Sequence, residues 1–231
     1  MKSICSLISS GTELKIFKGL FDEAQLDVNI KGMEDETMKY PLSYGYSLVG
    51  IVTRCGEEVK DANEIIGKMV FTFSPHANYA VIDRDGIQLV PDDIEAEDAI
   101  FMPSVETALS IVHDANVRVG EKVAVYGQGL IGLLVNGILN QQQSNLISGE
   151  FGTITVFDTI SERLSKASEM GSAQALLPQD SSVAGPFDVS IEVSGNFRAL
   201  QSAIDNTRNG GRIIGKLIRN FFTIRDDTDT Y

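Results

Sequence analysis

Val123-Ala124-Val125-Tyr126-Gly127-Gln128-Gly129-Leu130-Ile131-Gly132 is the stretch that decides the fold of this chain. Four apolar residues run straight into G-x-G-x-x-G, and the apolar spacing that follows, over 130–139, is helical. Strand, glycine turn and helix in this order open a parallel βαβ unit. Gly127 allows the tight turn, Gly129 lets a pyrophosphate approach the backbone, and Gly132 lets the helix pack close to the strand. The helix start, with Leu130 and Ile131, offers unbonded N–H groups and a positive dipole end to phosphate. The same glycines would also serve a βα turn that binds nothing.

Downstream the alternation continues: strand 153–157, helix 161–170, strand 189–193, helix 198–207 and strand 212–215, with strand 122–126 at its head. The strand ending Thr155-Val156-Phe157-Asp158 puts a carboxylate where an adenosine ribose would lie, with Arg163 one helical turn on. A carboxylate there accepts from both ribose hydroxyls and repels a 2′-phosphate, which predicts NAD rather than NADP. Asp158 would equally suit a helix N-cap. It stands 31 positions after Gly127, against the usual ~20 to 25 for this motif. The polar run Asn140-Gln141-Gln142-Gln143-Ser144-Asn145 accounts for the excess and is predicted to be a surface loop. Ser194 and Gly195 follow a strand, where they would line a nicotinamide pocket or lead into a helix cap.

Upstream the pattern differs. Short β-rich runs at 48–52, 69–73 and 79–82 are separated by Gly, Asp, Asn and Pro clusters, which predicts a compact, mostly β domain. Helical spacing appears at Ala99, Met102, Val105, Ala108 and Val112, and Gly120 ends it. The boundary is set at 106/107, giving units 1–106 and 107–231. The first holds 9 basic and 19 acidic side chains, the second 10 and 13.

The 231 residues are 43% apolar and 22% charged, enough apolar surface for a real core and too little charge for long-range disorder. A net charge of −13 repels phosphate backbones and anionic lipid, so nucleic acid and membrane are excluded as expected partners. Cys5 and Cys55 are too few for a disulfide framework or a cysteine zinc cluster, and the first residues carry no secretory signal. A reducing, cytoplasmic setting is expected.

Several segments together resemble the medium-chain dehydrogenase/reductase superfamily, from about Leu7 to Gly215. They are Ser10-Gly11-Thr12-Glu13, Tyr40-Pro41-Leu42-Ser43-Tyr44-Gly45-Tyr46, Ser74-Pro75-His76, Pro103 to Ala108, Gly127 to Gly132, and Gly210-Gly211-Arg212-Ile213-Ile214. Within it the chain is most similar to the zinc-lacking branch that resembles bacteriochlorophyllide a dehydrogenase. The resemblance implies an α/β protein in which a GroES-like, mostly β domain precedes a doubly wound Rossmann domain. It also implies hydride transfer between C4 of a nicotinamide and a carbonyl or secondary alcohol of a small molecule, with quinone or enone reduction as the neighbouring chemistry. The zinc branch holds its catalytic metal with Cys, His, sometimes Glu, and Cys, where this chain has Ser10, Tyr46, Ser47 and Pro103. No catalytic zinc is therefore expected, the soft thiolates and the imidazole being gone.

In place of zinc the resemblance offers Thr12, whose hydroxyl matches a proton relay, and Tyr46, which replaces the histidine. It also offers His76, from a stretch that passes near the substrate in relatives. Thr107, Ser194 and Gly195 fall at the nicotinamide end. Relatives pair as homodimers through an edge strand of the Rossmann sheet. Both domains are shorter than the family's, and Lys216 to Arg225 does not match it, so the resemblance implies a truncated form, active or merely nucleotide-binding.

Overall fold

The computed structural model describes residues 1–20, 40–144, 153–172, 174–180 and 184–215. The segment after Gly215, Lys216 to Arg225 included, lies outside them. The chain separates into two compact units between Pro103 and Ser104, inside a helix, where the sequence reading sets 106/107.

The first unit is built on an antiparallel sheet in the order β1 (Lys2–Ser6), β2 (Leu48–Ile51), β3 (Met69–Thr72), β4 (Ile87–Leu89). Leu48 pairs with Thr72 and Ile51 with Met69, so the two strands legible in the sequence are direct neighbours. The expected strand at 79–82 is absent: only Tyr79 makes an isolated bridge, to Lys2. Tyr79 and Val81 there are exposed, so that face of the run buries nothing and little favours a ladder. A short helix, α1 (Thr12–Phe17), follows β1 and buries Ile16. Val49 and Phe71 pack with Ala96 and Ile100 in the unit's main core.

The helical spacing near the boundary resolves into two helices, α3 (Ala96–Ala99), which follows α2 (Ala62–Ile65), and α4 (Met102–Ala115). The run stops before Gly120, because Asn116 turns the chain with φ of 44°.

In the second unit five parallel strands lie in the order β7 (Gln174–Leu176), β6 (Ile154–Phe157), β5 (Val123–Tyr126), β8 (Phe187–Glu192), β9 (Thr207–Gly215). β5, β6 and most of β8 are buried end to end, as expected of parallel strands covered on both faces. Alternate residues feed two cores. Val123, Val125, Ile154, Val156, Val189 and Ile191 pack with α4, α5 (Leu130–Ser144) and α6 (Ser161–Glu169). Ala124, Tyr126 and Phe157 pack with Phe187 and with Ala203 of α7 (Phe197–Asn206). The Tyr126 and Phe157 rings stack with centroids 4.7 Å apart, and Phe187 meets Phe157 edge-on at 6.0 Å. Each such aromatic contributes about 1.5–3 kcal/mol by burial.

The polar run expected as a loop is helical from Asn140 to Ser144. Glutamine is a good helix former, and Asn140 donates to the backbone and side-chain oxygens of Asn136 one turn back, which anchors the extension. The strand at β7 carries no strong sequence pattern, and it forms through pairing to β6.

Candidate functional site

Strand order reverses at β5, whose neighbours β6 and β8 lead away in opposite directions, and ligands of open parallel sheets gather at the carboxyl ends of strands at such a point. Three chain segments leave the sheet there: Gly127 after β5, Asp158 after β6 and Ser194 after β8.

Gly127 has φ of +96°, and a Cβ on it would lie 2.7 Å from the Ser194 Cβ and 2.8 Å from its backbone nitrogen. Only glycine satisfies both the dihedral and the space. A Cβ on Gly132 would come 1.8 Å from the Gly127 carbonyl oxygen, so the start of α5 lies directly on the turn. Gly129 is different: a Cβ there would meet none of the described residues within 4 Å. Its bare face is open, which is the space that a pyrophosphate needs. The Leu133 N–H donates to the Gly129 oxygen at 2.9 Å, leaving the N–H groups of Leu130, Ile131 and Gly132 ahead of the intrahelical ladder.

The Asp158 carboxylate is buried, and its Oδ2 accepts from the Gln128 N–H at 2.7 Å, while Oδ1 accepts from the Ile160 N–H at 2.9 Å. It thus ties the glycine turn to the end of β6 and does not occupy the N-cap of α6, which is Ile160. Two backbone donors leave carboxylate lone pairs for further hydroxyls. Arg163 Nη1 stands 3.6 Å from Oδ2. At the end of β8 the buried Glu192 accepts through Oε1 from Ser194 N–H at 2.7 Å, from the Ser194 hydroxyl at 2.5 Å and from Gly195 N–H at 3.0 Å. Gly195 has φ of +67°. The N-cap of α7 is Asn196, whose side chain accepts from Arg198 N–H at 2.9 Å. Gln128 is fully buried, and its Oε1 has no partner among the described residues.

These residues fit a dinucleotide: an open glycine face, free helix-start donors and a carboxylate with spare acceptor capacity converge on one turn. Among the residues expected at this site, Gly127, Gly129, Leu130, Ile131, Gly132, Asp158, Arg163, Ser194 and Gly195 form one neighbourhood. Thr107 sits half-buried in α4, and the contacts that join the others do not include it. Sequence reasoning missed Glu192, although an acid inside the apolar run Val189 to Val193 is a usable signal, and it missed the Gln128 amide as partner of Asp158.

In the first unit His76 Nε2 lies 2.6 Å from Glu13 Oε2. Glu13 follows Thr12 at the start of α1, and its other oxygen accepts from the Ser9 N–H at 2.8 Å. Gly45, next to Tyr46, lies against the His76 ring. Thr12 and Tyr46 are both half-buried, and the Tyr46 ring meets Tyr44 edge-on at 6.3 Å. The sequence reading took Glu13 only as part of a segment.

Four positions are those that the resemblance assigns to zinc ligands, and two of them have a described environment. The Ser47 hydroxyl is buried and donates to the Ile100 carbonyl at 2.5 Å, and Pro103 carries no donor atom. Among the described residues no three His, Cys, Asp or Glu side chains group as metal ligands. No described helix is long and apolar enough to cross a membrane.

No protein-family profile matches the chain. It is 29% identical over 181 residues to D-guloside 3-dehydrogenase of Escherichia coli K12, a match that covers 73% of this chain and 49% of that protein. The chain therefore spans about half the length of this curated relative. Its fold is similar to that of zinc dependent alcohol dehydrogenase 2 from Streptococcus pneumonia, with a TM-score of 0.69, 19% identity, and coverage of 93% of this chain and 67% of the other. It is also similar to the alcohol dehydrogenase rspB from E. coli CFT073 complexed with NADH, with a TM-score of 0.62, 18% identity, and coverage of 78% and 63%. The fold is a GroES-like unit followed by a Rossmann unit.

Proposed function

We propose that this chain is a member of the medium-chain dehydrogenase/reductase superfamily, binds NAD(H) at the β5 turn and serves a zinc-independent oxidoreductase acting on a small carbonyl compound or secondary alcohol. The observation that carries the reading is the Asp158 carboxylate held on the Gln128 amide, beside a glycine whose open side would admit a pyrophosphate. When bound, the nicotinamide supplies or accepts the hydride. The chain's own residues do the rest. Gly129, Leu130, Ile131 and Gly132 hold the pyrophosphate with backbone N–H groups. Asp158 and Arg163 hold the adenosine ribose, and the negative charge of Asp158 disfavours a 2′-phosphate. Glu192 fixes the Ser194–Gly195 turn that, with Thr107, faces the nicotinamide end.

In the first unit Thr12, Tyr46 and His76 carry groups able to move a proton, the role that the resemblance gives them. Zinc independence is supported by the donor set: Ser10, Tyr46, Ser47 and Pro103 offer neither a thiolate nor an imidazole. The free cysteines Cys5 and Cys55 suit a reducing compartment, which the cytoplasm provides.

Calorimetric titration with NADH and NADPH tests the reading. NADH should bind saturably and more tightly than NADPH, and should raise thermal stability with the logarithm of its concentration. Asp158→Asn should weaken NADH binding about tenfold or more and narrow the preference over NADPH, since a charged hydrogen bond is worth ~1.5–3 kcal/mol. A folded chain that binds neither nucleotide would end the proposal. NADH binding without turnover on alcohols, quinones and enones would reduce it to nucleotide binding.

A further inference from the structure

The peptide group that joins Gly127 to Gln128 is held at both ends by side chains. Its N–H donates to Asp158 Oδ2 at 2.7 Å, and its carbonyl oxygen accepts from Gln128 Nε2 at 3.0 Å. The same Nε2 lies 3.4 Å from the Val125 oxygen, which ties the turn back to β5. Gly127 has φ of +96° and no Cβ, so sterics alone leave this peptide plane free to rotate. Rotation by half a turn would present the carbonyl oxygen to the Asp158 carboxylate, two acceptors facing each other with no proton between them. The Gln128 side chain works against that rotation, because it holds the oxygen on the side of the peptide away from Asp158. It does so at a cost: Gln128 is fully buried, and its Oε1 has no partner among the described residues. A buried acceptor left unpaired lowers stability, which an apolar side chain of the same length would avoid. Packing therefore does not explain a glutamine here, and its donor protons do.

We infer that Gln128 is a positioning residue for nucleotide selection: its side-chain amide fixes the Gly127–Gln128 peptide, and that peptide fixes the Asp158 carboxylate that takes the adenosine ribose. This rests on the dinucleotide reading above and deepens it, and it concerns residues of the parallel-sheet unit alone. With the peptide held, Asp158 keeps Oδ2 on the Gln128 N–H and Oδ1 on the Ile160 N–H, so its remaining lone pairs have one direction. A carboxylate fixed in this way accepts from a 2′-hydroxyl and repels a 2′-phosphate. With the peptide free, Oδ2 loses its donor, and the carboxylate turns about its Cβ–Cγ bond on the Ile160 contact. Ribose hydroxyls then meet a poorly placed acceptor, while a 2′-phosphate meets less opposing charge. Gln128 acts through Asp158, and its own side chain stays inside the turn.

Gln128→Met keeps the length of the side chain and removes its donors. By calorimetry the NADH dissociation constant should rise about tenfold and that for NADPH less than about threefold, so the preference for NADH narrows. The melting temperature should stay within about 3 °C of the unmodified chain's, since the orphan acceptor leaves together with the donors. In an Asp158→Asn background Gln128→Met should leave the preference where Asp158→Asn alone puts it, because a residue that acts through Asp158 has nothing further to lose. The spectroscopic sign is the Gln128 backbone proton, which a carboxylate oxygen 2.7 Å from its nitrogen shifts far downfield in ¹H–¹⁵N spectra. Asp158→Asn assigns that proton, and Gln128→Met should move it upfield. Either an unmoved preference or an unmoved backbone proton in Gln128→Met overturns the inference, as do additive effects in the double variant. Should Gln128→Met fail to fold, Gln128→Glu, of equal length and without an N–H donor, answers the same questions. An unmodified chain that binds neither nucleotide sinks the dinucleotide reading and the selection role with it, and the backbone proton tells that failure from a failure of Gln128 to hold the peptide.

Discussion

The glycine turn of the parallel-sheet unit is made of backbone. Its essential contacts are the Gln128 amide on Asp158, the Gly127 Cα against Ser194 and the Gly127 carbonyl under Gly132, and side chains enter mainly by being absent. The Glu13–His76 pair of the antiparallel unit is the opposite: two side chains, 63 positions apart in sequence, meet only in the folded unit. A backbone device depends on dihedrals and space, so it fails abruptly when either is denied. A side-chain device depends on charge and distance, so it fails by degrees.

Substitutions can break that contrast, and the largest effect should come from Gly132→Ala. Its Cβ would need the space of the Gly127 carbonyl, 1.8 Å away, and overpacking of this kind costs about 3 kcal/mol. The urea midpoint should fall with little change in slope. An unchanged midpoint would mean that the turn yields easily, and the contrast would be lost.

Gly129→Ala should separate binding from stability in the same turn. The added methyl meets none of the described residues within 4 Å, so stability should stay level or rise by about 0.5 kcal/mol. It fills the side that the proposed function gives to the pyrophosphate, so NADH affinity should fall about tenfold or more, read by calorimetry. Undiminished affinity would put the pyrophosphate elsewhere.

A smaller effect should come from a side-chain clamp within the parallel-sheet unit. Arg212 donates to both oxygens of Glu121, at 3.0 and 2.5 Å, and to the carbonyls of Ala115 and Asn116, tying β9 to the end of α4. The Arg212 hydrogen bonds hold the Glu121 carboxyl below its ordinary value of 4.5, against the opposing pull of burial. The carboxyl therefore titrates lower folded than unfolded. Its contribution is whole above the unfolded value and is lost as pH falls through the lower folded one. Removing the clamp with Arg212→Met should cost about 0.5 kcal/mol near neutral pH. It should also flatten the decline in stability below about pH 4.5. Equal slopes in both chains on an acid series of urea melts would show that the clamp does not contribute.

Much of the parallel-sheet unit was legible before folding. Val123 to Gly132 specified strand, turn and helix, and Asp158 and Ser194 fell where parallel strands end. The misreading of Asn140 to Ser144 came from treating polar composition as loop, although glutamine sustains a helix when a turn such as Asn136–Asn140 supports it. In the antiparallel unit β2 and β3 were legible, while β1 and β4 were not, and 79–82 was read as a strand it does not form. Short strands acquire their identity from the neighbour they pair with, which a local pattern does not contain.

The sequence alone determined the order of strands and helices in the second unit, β7 excepted, and the glycine positions of its turn, because those depend on dihedral limits and periodicity, properties of consecutive residues. Tertiary structure decided that Asp158 would grip the Gln128 amide, that Glu192 would gather Ser194 and Gly195, and that Glu13 would find His76. Such partners are selected by proximity in three dimensions, and burial, which makes each of those contacts strong, exists only once the chain has folded around them.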